Sequence, residues 1–325
     1  MSSLRLHPNP QLPHLLAQSP SQAQSSSPTV ASFSFNGRLD ANSETAGDGS
    51  YYNLHTFEGK AGQAIVIEMS SSELDTYLIL LNAKGKRLAE NDDGLSGTDA
   101  QIIIELPTTG TYTVVANSYG VGATGSYQLQ IRAANTDDTA LSEAAQLDQQ
   151  VIELVQQGRN EAAIPLAERS LQIREQTLGE THSEVGESLN SLAGLYRFQG
   201  NYMVAEPLYQ RSLQIREQTF GNNHPDVASS LNNLALLYQD QRNYAAAEPF
   251  YQRALQIFEQ TLGENDLNVA ITLNNLASLY QEQRNYGAAE SLYQRSLQMT
   301  EQALGANHPD VATSLNNLAG LYQDR

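Results

Sequence analysis

From about Ser142 onward the sequence repeats itself every 42 residues. Reading down the chain at that step gives Leu189, Leu231, Leu273 and Leu315, then Ala193, Ala235, Ala277 and Ala319, then Tyr196, Tyr238, Tyr280 and Tyr322. A second set follows at the same step: Tyr202, Tyr244 and Tyr286; Ala205, Ala247 and Ala289; Tyr209, Tyr251 and Tyr293. Gly179, Gly221, Gly263 and Gly305 close the units. A period of this length marks stacked supersecondary units that cannot bury their apolar faces alone, so this segment is not one closed core.

Each unit reads as a pair of helices. In His224-Pro225-Asp226-Val227, Pro225 suits the first helical position and Asp226 complements the positive helix end. Leu231, Leu234, Ala235 and Tyr238 then fall at i, i+3, i+4 and i+7, one buried stripe. The loop Gln241-Arg242-Asn243 follows, with Asn243 expected to cap a second helix that runs to Gly263. Small Ala235 and Ala247 allow close approach, and the tyrosines fill the gaps between pairs. The first unit, near Leu147 to Gly179, diverges: Leu154 replaces the tyrosine, while Pro165 matches Pro207 and Pro249.

Residues 29–134 have a different period. Alternation in Phe33-Ser34-Phe35, Ala64-Ile65-Val66-Ile67-Glu68, Tyr112-Thr113-Val114-Val115-Ala116 and Tyr127-Gln128-Leu129-Gln130-Ile131 predicts strands. Asn36-Gly37, Glu58-Gly59, Lys84-Gly85, Asp93-Gly94, Thr109-Gly110 and Thr124-Gly125 mark the turns between them. Seven or so short strands without helical stretches predict an antiparallel β-sandwich. The fold class is therefore multidomain: a disordered Ser/Gln/Pro-rich tail (1–28), the sandwich (29–134), a linker (135–142) and an all-α array (143–325) of about four helix pairs plus a final unpaired helix. A remnant leader ending near Gln22-Ala23-Gln24 is the other reading of the tail.

Composition narrows the function. The formal net charge is -18. Residues up to Asn135 carry 12 acidic and 7 basic side chains, and the remainder 24 and 11, every basic one there being Arg. Such a balance disfavours nucleic acid, whose phosphates require a basic surface. There is no Cys, which excludes disulfides and thiolate chemistry but does not decide the compartment. The apolar runs are too short for a membrane-spanning helix. The N-terminus lacks the charged start and apolar stretch of a secretory signal, so localisation stays open between cytoplasmic and exported.

Tyr196, Ala205 and Tyr209, with their counterparts, match the tetratricopeptide pattern. The motifs Leu-Asn-Asn-Leu-Ala (231–235), Ala-Glu-Pro (247–249), Tyr-Gln-Arg (251–253) and Gly-x-x-His-Pro-Asp-Val (221–227) resemble the kinesin light chain type of tetratricopeptide repeat. The resemblance implies a solenoid of antiparallel helix pairs with a concave groove. In the first half, Asp75-Thr76-Tyr77-Leu78, Gly85-Lys86-Arg87-Leu88, Asn91-Asp92-Asp93-Gly94, Gly110-Thr111-Tyr112 and Gly125-Ser126-Tyr127 resemble the bacterial pre-peptidase C-terminal domain. That family implies an accessory module of secreted proteases, although no protease accompanies it in these residues.

The candidate site residues are the paired amides Asn232-Asn233, Asn274-Asn275 and Asn316-Asn317, with Asn190 alone beside Ser191. They lie opposite the buried stripe, on the side that the resemblance assigns to the groove. An amide carries both donors and acceptors, so a row can hold a peptide backbone irrespective of its side chains. The alternative is that one amide of each pair bonds between neighbouring repeats. Ser229, Ser230, Thr272, Ser278, Thr313 and Ser314 are further groove candidates, and Arg197 is the one basic residue expected there. The ligand is expected to be an extended protein or peptide segment, neutral or basic, with neither nucleic acid nor membrane insertion involved. His182, His224 and His308 read as loop caps, because equivalent atoms about 10 Å apart cannot share a metal. Asn91-Asp92-Asp93-Gly94 reads as a polar turn in preference to a calcium loop. No Gly-x-Ser-x-Gly elbow, phosphate loop or zinc-binding His pair occurs, so no enzyme, cofactor or metal site is expected within these residues. The function predicted is a peptide-binding scaffold or adaptor. The alternative is the regulatory half of an effector enzyme, for example a caspase-like protease, with further repeats or a catalytic domain beyond Arg325.

Overall fold

The computed structural model describes residues 32–92, 99–118 and 120–325; the expected tail lies outside them. The chain divides into two compact units, Met1–Ser142 and Glu143–Arg325.

In the first unit, nine strands form two antiparallel sheets among the described residues. β1 (Ser32–Leu39), β9 (Gly125–Ala133), β4 (Ala64–Ser70) and β7 (Ala100–Glu105) lie in that order in one sheet. β2 (Glu44–Thr45), β3 (Tyr51–Gly59), β8 (Gly110–Ser118), β5 (Thr76–Asn82) and β6 (Arg87–Asn91) form the other. Alternation decides the facing. In β9, Tyr127, Leu129 and Ile131 are buried while Ser126, Gln128 and Gln130 are exposed. The core joins Ile65, Ile67 and Leu129 from the first sheet to Phe57, Leu80 and Val114 from the second. Phe57 stacks on Tyr112 with ring centres 5.5 Å apart, and the Tyr112 hydroxyl donates back to the Thr108 carbonyl.

Four side chains from β1, β3 and β9 meet in this unit. The Tyr127 hydroxyl accepts from Asn53 Nδ2 and shares a hydrogen bond with His55 Nε2, each at 2.9 Å. The Phe35 ring lies 4.5 Å from the His55 ring, centre to centre. Burial disfavours the imidazolium and pushes the His55 pKa down to about 4.

The second unit is a run of helices, with α1 (Thr136–Gln156) leading into it: α2 (Asn160–Leu178), α3 (Ser183–Phe198), α4 (Tyr202–Phe220), α5 (Pro225–Asp240), α6 (Tyr244–Leu262), α7 (Leu267–Glu282), α8 (Tyr286–Leu304) and α9 (Pro309–Asp324). Residues 136–142, expected as linker, are helical instead. Asp137 and Asp138 occupy the first turn of α1, where carboxylates complement the helix dipole. The odd-numbered helices from α3 start on a histidine or its substitute. Nδ1 of His182, His224 and His308 accepts the N–H of Glu184, Asp226 and Asp310, and Asp266 Oδ1 does the same for Asn268. This explains why Asp replaces His without loss of the helix start.

Packing follows the small residues. Ala193, Ala205, Ala235, Ala247, Ala277 and Ala289 are fully buried where paired helices cross. Tyr209 and Tyr251 fill the space against the next pair. Ser212 Oγ donates to the Gly186 carbonyl and Ser296 Oγ to that of Ala270, tying α4 to α3 and α8 to α7. Between successive even helices, Arg253 pairs with Glu217 and Arg295 with Glu259, both at 2.8 Å.

The turn within each pair corrects one expectation. Neither Asn201 nor Asn243 makes a side-chain cap bond. The turn is closed by backbone: Asn243 N–H reaches the Tyr238 carbonyl and Arg242 N–H that of Gln239, each at 2.8 Å. This Schellman closure needs a left-handed residue. Gly158 and Gly200 supply it in the first two turns, but Arg242 and Arg284 must adopt φ 59° and 62°.

Two outcomes follow for stability. Arg242→Gly and Arg284→Gly each remove a left-handed side-chain conflict worth about 1 kcal/mol, so the double variant should unfold at higher denaturant concentration than the native chain. For His55, the unfolded pKa of about 6.5 exceeds the folded one, so the unfolded chain alone takes up a proton between the two. Stability is complete above that upper value and declines toward pH 4, by at most about 1.4 kcal/mol per pH unit. Equilibrium unfolding of His55→Gln, which keeps a hydrogen-bonding group for Tyr127, should show a shallower dependence in that window.

Candidate functional site

α3, α5, α7 and α9 pack in succession and share one face, opposite the stripe buried against the even helices. Asn190, Asn232, Asn233, Asn274, Asn275 and Asn317 are half-buried, and Asn316 is exposed. These amides form a ladder. Asn233 Nδ2 donates to Asn190 Oδ1 at 2.9 Å, Asn275 to Asn232 at 3.3 Å and Asn317 to Asn274 at 3.0 Å. Each rung joins the second amide of one pair to the first amide of the preceding pair, 43 positions earlier.

The rungs fix the rotamers but do not exhaust the amides. An Asn side chain offers two donors and two acceptor lone pairs, and a rung uses one donor on one partner and one acceptor site on the other. Asn232 and Asn274 contribute only their carbonyl oxygens to rungs, Asn233 and Asn275 only an Nδ2 hydrogen. Ser191 cannot make a rung of this kind, so the ladder starts at Asn190.

Seven residues on, two helical turns, a second row runs parallel to the first, and the sequence reading missed it. Arg197 Nη1 donates to Asp240 Oδ2 at 2.9 Å. Gln239 Nε2 donates to Glu282 Oε1 and Gln281 Nε2 to Asp324 Oδ2, both at 2.6 Å. Tyrosines from the even helices hold the glutamines: Tyr251 O–H bonds Gln239 Oε1 at 2.9 Å and Tyr293 O–H bonds Gln281 Oε1 at 3.1 Å. Burial pushes both phenols up, so they stay protonated and keep donating. The row was detectable, because stepping seven from Asn232 and Asn275 lands on Gln239 and Glu282.

Two expectations change here. Arg197 is not an available cation on this face; its guanidinium is ion-paired to Asp240 and its Nε is buried without a partner. Ser230, Thr272 and Ser314 are not groove residues; they are buried. Ser230 Oγ accepts from the Arg216 guanidinium, while Thr272 and Ser314 donate to the carbonyls of Asn268 and Asp310. Ser278 is half-buried and accepts from Gln239, Ser229 is half-buried, and Thr313 is exposed. In the sandwich, Asn91 Oδ1 accepts from the Gln101 N–H at 3.2 Å, whereas Asp93 and Gly94 fall outside the described residues. Among the described residues no group of three His, Asp or Glu side chains could hold a metal ion, and no helix is long and apolar enough to cross a membrane.

The profile of the tetratricopeptide repeat family matches residues 143–218, 184–260, 226–302 and 268–325, overlapping windows that together span more than half the chain. That of the bacterial pre-peptidase C-terminal domain matches residues 51–118. A probable subtilase-type serine protease of Deinococcus radiodurans is 38% identical over 74 residues, 21% of this chain and 10% of the protease, so the chain spans a tenth of that relative. Among solved structures, a putative kinesin light chain of Podosopora anserina with nearly identical TPR-like repeats aligns at 24% identity and TM-score 0.49, over 57% of this chain and 87% of that one. BtubC (BKLC) from P. vanneervenii aligns at 20% identity and TM-score 0.42, over 59% and 85%.

Removing one rung tests its structural weight. Asn233→Ala leaves Asn190 without its partner and should cost about 0.5–1.5 kcal/mol in equilibrium unfolding. The exposed Asn316→Ala should cost less than about 0.5 kcal/mol in the same assay.

Proposed function

Because the chain belongs to the tetratricopeptide repeat family, a family of protein-interaction scaffolds, we propose that its array binds an extended peptide segment along the face of α3, α5, α7 and α9. The observation that carries this is the amide ladder. Its rungs hold Asn190, Asn232, Asn233, Asn274, Asn275 and Asn317 in fixed orientations, with Asn316 at the end of the row and donors and acceptors to spare. Fixed amides lose little side-chain entropy when a ligand arrives. They also match the alternating N–H and C=O of an extended backbone, so they recognise main chain and leave side-chain selection to their neighbours.

Charge supports a neutral or basic segment. Arg197 is neutralised by Asp240, while Glu282 and Asp324 are each held by a glutamine amide in the second row. The array has no Lys to receive a carboxylate. The role is binding and not catalysis within these residues: the groups brought together are amides, carboxylates and phenols pushed up by burial, without an activated nucleophile. The domain plan is part of the same proposal, with 143–325 as the binding array and 29–134 as a separate accessory module.

Selection of a random peptide library on the full chain, followed by fluorescence polarisation of enriched peptides, tests this. Replacing Asn232, Asn233, Asn274 and Asn275 together by Ala should weaken enriched peptides at least about tenfold, since a few bonds of about 0.5–1.5 kcal/mol each are lost. Circular dichroism must show the helices intact in the variant. Unchanged affinity in a folded quadruple variant would rule this face out.

A further inference from the structure

The face described above is not uniform from repeat to repeat. Relative to the first amide of each pair, positions -3, +4 and +8 fall on the same side of the helix as the amides. At +8 the successive helices carry Phe198, Asp240, Glu282 and Asp324; at +4, Gly194, Leu236, Ser278 and Gly320; at -3, Glu187, Ser229, Ile271 and Thr313. Each level is otherwise polar or glycine, and each has one large apolar member. Phe198 and Ile271 are 55% and 54% exposed, and Leu236 is half-buried.

The three apolar residues sit on successive helices at descending levels: the end of α3, the middle of α5 and the start of α7. They trace a diagonal that crosses the amide row beside the Asn232–Asn275 rung. Neighbouring helices are about 10 Å apart. The level drops by four residues and then by seven, about 6 and 10 Å along the axis. Steps of about 12 to 15 Å result. An extended chain rises about 3.3 Å per residue with side chains alternating, so every fourth residue returns to the same side after about 13 Å.

We propose that this diagonal selects an extended partner segment with apolar side chains at every fourth position and uncharged or basic residues between them. The proposal rests on the groove assignment made above and adds the side-chain code. Charge complementarity fixes the intervening residues: Glu187 on α3 is exposed on the same face, Glu282 stands at the +8 level of α7, and Arg197 is occupied by Asp240 and by the Phe198 ring, 5.0 Å from its guanidinium carbon. Leu236 gives the middle anchor a floor, since it is half-buried against the cluster of Ala235, Ala247, Tyr251, Leu276 and Leu279. The amides crossed by the track supply main-chain bonds between the anchors.

Three labelled synthetic peptides of about eleven residues test the spacing. The first has Val at every fourth position with Thr, Ser and Lys between, a composition that disfavours helix. A second has the same composition with its valines at alternate positions, and a third replaces Lys with Glu. Fluorescence polarisation with the full chain should give the first peptide at least about tenfold tighter binding than the other two. The variant F198S/I271S, which changes two exposed side chains outside the amide row, should weaken the first peptide about tenfold and leave the second unchanged. Equal binding of the first two peptides, or an F198S/I271S variant that binds as the native chain does, would overturn the diagonal while leaving backbone recognition by the amides standing. No binding by any peptide at about 1 mM would overturn both.

Discussion

Each helix pair in this array buries its apolar face only by stacking on the next pair, and that stacking fixes everything else on the molecule's surface. Fully buried Ala235 and Ala247 let paired helices touch, and buried Tyr251 fills the interval to the following pair. With no larger side chain at the crossing, neighbouring odd helices are held in one register. The register places residue 190 against 233, 232 against 275 and 274 against 317, so side chains of one type form continuous rows. A solenoid thereby converts a local sequence repeat into a long surface without needing distant contacts.

The rows are polar, and their members pair across helices, as Asn232 does with Asn275 and Gln239 with Glu282. Gln239 is an instructive case: it is buried, and both ends of its amide are used, the oxygen by Tyr251 and the nitrogen by Glu282 and Ser278. A buried amide left unbonded would destabilise the repeat, so one phenol and one carboxylate from different helices are needed to keep it there. This requirement couples the stability of the array to the chemistry of its face. The Asn row is less buried, and its amides keep hydrogen-bonding capacity that the Gln row has spent. On that difference rests the proposal that a ligand engages the Asn row.

Much of this was legible in the residues. The 42-residue step placed the helix pairs, the glycine ends and the faces, and period-two alternation placed the sandwich strands. Capping was legible only in part. His224 and Asp266 start their helices as their chemistry suggests, and Asn285 Oδ1 accepts the Ala288 N–H, but Asn243 makes no side-chain cap bond, the Ala246 N–H going to its main-chain carbonyl instead. Burial of Ser230 and Thr272 was missed because a small hydroxyl can answer a carbonyl or an arginine inside a helix packing, as Arg216 does with Ser230. Pairing across repeats, such as Arg197 with Asp240, depends on the offset between helices, a quantity that period alone does not carry.

We propose that a partner touches the amides of α5 and α7. Side-chain amide signals of Asn232, Asn233, Asn274 and Asn275, assigned by single substitutions and followed by nuclear magnetic resonance as an enriched peptide is added, report on this directly. These signals should shift together with the occupancy of the site, ahead of any change in the sandwich. Saturation of the peptide with those four amide signals unmoved would contradict it.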